Sequence, residues 1–310
     1  MGFFTNLFGK KTCDVCGGDF GGKMVHRLKD GRCCTPCALK MSIWTGDRSR
    51  MTVAEARRQI EWREAHREDA RDFYPTGIYG FIPWIMVDEK TRRFTATRDL
   101  NIRKHTVDIL AFSQIRELKT CIEEKKEEVL RECTDTDRYH ADISHRESYF
   151  PRRYRYGYNF LLQLTLDHPF IHHMEVSISG GSIDVLTGEL GRQEGRTRPP
   201  TEEERMEDPY YARFAGELEE LKRILLDPTP PEKQDKIPRE QMIFGPMLSV
   251  FQKACEDLRE AGQQRHAGMT ASAQWVRNQS LMAIQDAAKT AKAAAAKAGV
   301  EEIIAKYTEE

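Results

Sequence analysis

The sequence predicts an α+β fold in successive parts: a small cysteine-built module at residues 1–45, a charged connecting helix at 46–77, a β domain at 78–227 ending in a closing helix, and a helical tail at 246–310. A proline-rich linker at 228–245 precedes the tail. Three observations predict this order. Four cysteines stand at the spacing C-x2-C-x17-C-x2-C, short apolar and alternating runs fill 81–186, and apolar residues recur at helical spacing after Thr201 and again after Pro246.

The cysteine pairs are Cys13/Cys16 and Cys34/Cys37, with Gly17 and Gly18 after the first and Asp30 and Gly31 shortly before the second. Each C-x2-C turn aims two sulfurs at one point, and the intervening residues suffice for a hairpin that brings the pairs together. This is the spacing of a four-thiolate zinc site of the zinc-ribbon type. Four protein ligands close the shell, so a Zn2+ ion here contributes folding energy and has no open position for a substrate. Cys33 adjoins Cys34 and could replace it, although Cys34 gives the better knuckle; His26 finds no vacancy beside four thiolates. Of eight cysteines, five lie between Cys13 and Cys37, a pattern suited to metal binding in a reducing cytoplasm and unlike a secreted disulfide framework.

The 310 residues are long enough for two or three domains. Lysine plus arginine (48) nearly balances aspartate plus glutamate (49), which argues against a chain built wholly to coat nucleic acid or an acidic membrane. Near the N-terminus Phe3, Phe4, Leu7 and Phe8 are too few for a signal peptide and are followed by Lys10 and Lys11; they read as a short helix packed on the module or as a weak membrane-surface or partner anchor. No run of eighteen apolar residues occurs, so no transmembrane segment is expected.

Thr52 and Glu55 form a capping box that starts the connecting helix, whose apolar stripe is Ile60, Trp62, Ala65, Ala70 and Phe73 before the stop at 75–77. The run CDVCGG at 13–18, LKDGRCCTPC at 28–37 and the capped helix ending FYPTG at 73–77 resembles the N-terminal module of an uncharacterised bacterial domain-of-unknown-function family. Asp88, Phe94 and FSQI at 112–115 continue the resemblance. It implies the zinc module and a following β domain, and implies no activity.

In the β domain, apolar 81–87, a turn at 88–90 and alternating 93–97 read as a hairpin; 115–122, 158–166, 171–178 and 182–186 are further strands. A second capping box, Thr201 with Glu204, opens a segment in which Tyr210, Tyr211, Phe214, Leu218, Leu221, Ile224 and Leu225 share a face. Strands closed by one amphipathic helix suggest a small barrel or curved sheet, an order similar to bacterial pleckstrin-homology-like domains. The charged insertion at about 123–156 reads as an extended loop or strand pair. Arg152, Arg153, Tyr154, Arg155 and Tyr156 interleave cations with aromatics, as nucleic-acid stacking requires, or else form an edge strand with packed tyrosines. Cys121, Cys133, His140 and His145 lack a knuckle and make a weak second metal set. His168, His172 and His173 read as ordinary polar residues of a turn.

The tail shows helical spacing at 246–260 and an alanine-rich stretch at 271–298 ending at Gly299. Its shallow apolar side calls for a partner helix, a second copy, or an exposed appendage. No common hydrolase, nucleotide or metalloprotease motif is present. The residues therefore read as a non-catalytic zinc-binding interaction or scaffold protein, with a nucleic-acid-binding protein and a membrane-surface adaptor as the alternatives.

Overall fold

The computed structural model describes residues 12–20, 24–103, 106–136, 142–185, 195–232, 238–264 and 267–308; Phe3, Phe4, Leu7, Phe8 and His140 lie outside them. The chain is mixed α and β. Strands β1 (Val25–Arg27) and β2 (Arg32–Cys34) form a hairpin that leads directly into helix α1 (Thr35–Lys40). Helix α2 (Val53–Ala65) begins at the expected capping box: Thr52 Oγ1 accepts the Glu55 amide at 3.2 Å and Glu55 Oε2 accepts the Thr52 amide at 2.8 Å. Its buried face corrects the expected stripe. Ala56, Gln59 and Arg63 are the buried residues, Ile60 and Trp62 are half-buried, and Ala65 is exposed.

Two antiparallel four-stranded sheets follow. The first orders β3 (Gly77–Tyr79), β4 (Trp84–Asp88), β5 (Arg93–Thr97) and β6 (Leu110–Ala111) in sequence. The second is built on β7 (Ile115–Thr136) and β8 (Asp142–Leu166), with β9 (His173–Ser177) and β10 (Ile183–Asp184) both paired along β8. The sheets do not join into a closed barrel among the described residues, which corrects that form of the expectation. The charged insertion is a strand pair: β7 and β8 run as one hairpin of 22 and 25 residues. A bulge interrupts its ladder, where Val129 faces Arg153 but Leu130 faces Ser148, leaving residues 149–152 without partners in register.

Helix α3 (Glu202–Met206) leads to α4 (Pro209–Leu226), capped by Asp208, whose side chain accepts the amides of Tyr210 and Tyr211 at 3.0 and 3.2 Å. Tyr211, Leu218, Leu221, Ile224 and Leu225 of α4 complete a core with Ile85, Val87 and Phe94 of the first sheet and Phe160, Leu162 and Leu164 of the second. Side chains alternate along a strand. On β4, Ile85 and Val87 enter this core while Trp84 and Met86 enter another, shared with Phe73, Phe244, Phe251 and Ile284. All five residues of β4 are buried as a result.

That second core is closed by the tail. Helix α5 (Arg239–Gln264) starts ahead of the expected 246 and carries Pro246 inside it; α6 (Ala267–Thr290) packs against it as an α-hairpin. The expected single helix over 271–298 is broken at Ala291, whose φ of −126° leaves the helical region, giving α7 (Lys292–Lys297). Gly299, at φ 62°, ends α7 as expected, and α8 (Val300–Thr308) returns Tyr307 to Phe251. The apolar side of the tail is thus covered by the first sheet and by its own helices. No helix among the described residues is long and apolar enough to cross a membrane.

Candidate metal centre

The β1–β2 hairpin and the start of α1 bring Cys13, Cys16, Cys34 and Cys37 together, their sulfurs all within 4.8 Å of one another. Cys13 Sγ lies 3.9 Å from Cys37 Sγ, and Cys16 Sγ lies 3.8 Å from Cys34 Sγ. These separations far exceed a disulfide and all four cysteines are free. They match the spacing of about 3.8 Å between sulfurs placed tetrahedrally on an ion with bonds of about 2.3 Å. The four thiols could therefore hold one metal ion.

Local structure explains why the sulfurs converge. Gly17, at φ 75°, turns the first knuckle, letting its amide donate to Cys13 O at 2.8 Å. The amides of Cys34 and Cys16 point at Cys13 Sγ from 3.3 and 3.5 Å. Cys34 is also the cap residue of α1, so Cys37 stands one turn into the helix. A Cβ on Gly31 would come within 2.7 Å of Val53 and 2.9 Å of Asp14 Oδ2, so only glycine lets the hairpin seat against α2. Cys33 is buried and stands outside the tetrad, because successive residues of β2 point to opposite faces. His26 Nε2 contacts Thr35 Oγ1 at 3.3 Å instead.

Electrostatics separates the thiols. Burial alone would raise the Cys13 thiol, but backbone amides of Cys16, Cys34 and Val15 outweigh it and bring the thiol down to about 6. Burial, reinforced by the sulfur neighbours, pushes Cys37 far above the ordinary thiol value, and burial raises Cys34. Were all four sulfurs thiolates at this spacing, they would need a cation among them. Four sulfurs would complete a tetrahedral shell without leaving room for further ligands.

The module is bolted to the rest of the chain through α2. Arg57 donates from Nε to Val15 O at 2.9 Å and from Nη2 to Asp14 O. Arg63 Nε meets Asp108 Oδ1 at 2.7 Å with both side chains 6% exposed, and its guanidinium also donates to Lys40 O and, at 2.7 Å, to Thr106 O. Ser42 Oγ donates to Asp108 Oδ2 at 2.7 Å, and Trp44 Nε1 reaches Ala96 O on β5 at 2.9 Å. Sequence reading missed this network, since an arginine among many on a charged helix reads as solvated. Gln59, one turn before Arg63 on the same face, is buried with it.

His168 stands beside this junction and is buried, unlike the exposed His172 and His173. Its Nδ1 accepts the amides of Phe170 and Ile171 at 3.2 and 3.1 Å, and its ring meets Trp62 edge-on. Burial lowers its pKa, and a proton on Nδ1 would break both hydrogen bonds. The unfolded chain therefore binds this proton first as pH falls. Stability should be full above about 6.5 and decline below it, with a limiting slope of about 1.4 kcal/mol per pH unit. Urea unfolding at pH 7.5, 6.5 and 5.5 should show this decline, and His168→Asn, which keeps an acceptor but does not titrate, should flatten it.

The remaining expected residues are scattered along the long hairpin. Tyr156 is buried in the core, Tyr154 is half-buried beneath Lys126 at 3.8 Å, and Arg152 and Arg155 are exposed. This stretch is not an edge: Tyr154 bridges to Arg196 on the side away from β7. Cys121 pairs with Leu161, twelve residues along β7 from Cys133 and on the order of 40 Å away at the usual strand rise. The weak second set therefore does not assemble as expected. Cys133 and His145 do face each other, and Glu147 joins them. A small cavity of about 150 Å³ between α4, α5 and the first sheet has apolar walls that include Phe81, Trp84 and Phe214, with Arg213 paired to Asp257 at its rim. No protein family, curated protein or solved structure matches the chain.

Proposed function

We propose that this chain is a non-catalytic zinc-binding interaction protein of the cytoplasm, in which a zinc ribbon stiffens one end of a scaffold and the long β7–β8 hairpin presents the surface a protein partner contacts. The observation that carries the reading is the four-sulfur cluster, whose completed shell suits structural zinc, joined to a buried ion pair that ties the module to the sheets. Two antiparallel sheets closed by α4 support reading 78–227 as a pleckstrin-homology-like domain, and with it the resemblance to the uncharacterised bacterial family.

The hairpin supports a protein partner over nucleic acid. Its cations are matched by carboxylates: Arg131 with Glu147 at 3.0 Å, Arg146 with Glu132 at 3.4 Å, Arg152 with Glu128 at 3.7 Å. Such a surface has little net attraction for phosphates. At the bulge Phe150 is wholly exposed, an aromatic anchor of the kind that dominates protein interfaces. A photo-crosslinking residue at position 150 should yield a discrete protein adduct in cells, absent from the exposed control position 175. Adducts abolished by nuclease would shift the function to nucleic-acid binding, adducts to lipid would favour the membrane-surface adaptor, and no adduct of any kind would overturn the reading.

A further inference from the structure

We propose that Cys133, His145 and Glu147 form a second, open-shell Zn2+ site on the distal part of the β7–β8 hairpin. Cys133 and His145 are directly opposed in the ladder, and Glu147, two residues from His145, stands on the same face. One donor atom from each lies within 4.8 Å of the others. His145 Nε2 is 3.0 Å from Glu147 Oε1, and Cys133 Sγ is 3.6 Å from Glu147 Oε2. Donors on a tetrahedral zinc with bonds of about 2.0–2.3 Å stand roughly 3.3–3.8 Å apart, so small side-chain rotations would seat the ion.

The donor set is informative. A soft thiolate, an imidazole and a carboxylate together suit Zn2+ better than Mg2+ or Ca2+, which take oxygen donors. Three protein ligands leave one position to water, in contrast to the four-cysteine centre. The register sets Cys133 of β7 opposite His145 and Arg131 of β7 opposite Glu147, so one ligand comes from β7 and two from β8. Arg131 Nη2 donates to Glu147 Oε2 at 3.0 Å, and this contact must open when the cation arrives. Binding releases the Cys133 thiol proton to water, and neutral His145 carries its hydrogen on Nδ1 so that Nε2 can take the ion in place of its contact with Glu147. The exposed position and the competing arginine make this the weaker, exchangeable site of the chain.

The test uses the full chain dialysed against micromolar Zn2+, with metal counted by mass spectrometry. Wild-type protein should hold two equivalents; Cys133→Ser and Glu147→Gln should each hold one, with unchanged circular dichroism, because both residues are on an outward face. Cobalt added after the tight site is filled with zinc should give a single-thiolate charge-transfer band that Cys133→Ser abolishes. A second equivalent that survives in both variants would place the ion elsewhere and overturn the proposal, as would a wild-type protein whose only metal is lost in Cys13→Ser. Failure of the four-cysteine centre is distinguishable, since it lowers every count by one and leaves the difference between wild type and the Cys133 variant intact.

Discussion

Cys37→Ser protein should lose the four-cysteine metal and, with it, the folded state of residues 12–51. Cys37 is buried, opposes Cys13 at 3.9 Å and stands in the first turn of α1, so no exposed substitute ligand can reach its place. The module's core is small. Beyond the cysteines it holds Phe20, Leu28, Ala38 and Met41 together with Ala56 of α2, too little apolar area to fold such a segment without a metal. Zinc held by four thiolates supplies apparent binding energy on the order of 10 kcal/mol at neutral pH, which in such modules is folding energy. The expected result is one fewer zinc per chain, rapid proteolysis within residues 12–51, and loss of the indole N–H signal of Trp44, which is hydrogen-bonded to Ala96. Cys33→Ala, outside the tetrad, should keep its metal. A Cys37→Ser protein with wild-type zinc content would show that the cluster is not a metal centre.

Asp108→Ala should destabilise the whole chain by about 3–5 kcal/mol, the effect of leaving one member of a buried ion pair without its partner. Arg63 would keep its hydrogen bonds to Lys40 O and Thr106 O, but its charge would stand uncompensated at 6% exposure. Ser42 would lose its acceptor at the same time. The double variant Arg63→Met/Asp108→Leu removes both charges and should recover at least half of the loss, because desolvating a pair offsets much of its attraction. Urea midpoints of the three proteins decide it. If Asp108→Ala changes the midpoint no more than a surface substitution does, the module and the sheets are not coupled through this pair.

The two predictions draw on different kinds of information. The cysteine spacing picked out the four sulfurs that converge, because a C-x2-C turn is a local geometry that its own residues complete. The capping boxes at Thr52 and Thr201 were legible for the same reason: cap and partner lie three residues apart. The closing helix α4 was readable because its apolar face is continuous over 18 residues. The apolar run at 81–87 carried a further message that went unread. A strand with no polar alternate positions is covered on both faces, and here the tail supplies the second cover.

What the sequence determined by itself, then, is what short-range chemistry completes: the four converging sulfurs, the helix starts, the turn-bounded hairpin of 84–97 and the amphipathic helix that closes the sheets. The tertiary structure alone decided the rest. It set Arg63 against Asp108 across 45 residues, folded the tail back onto Trp84 and Met86, and extended 115–166 into a hairpin whose register makes neighbours of Cys133, His145 and Glu147 while parting Cys133 from Cys121. Those outcomes depend on strand register and on which face a distant helix covers. Both are settled by packing between segments far apart in the chain, where a one-residue shift would turn every side chain to the opposite face.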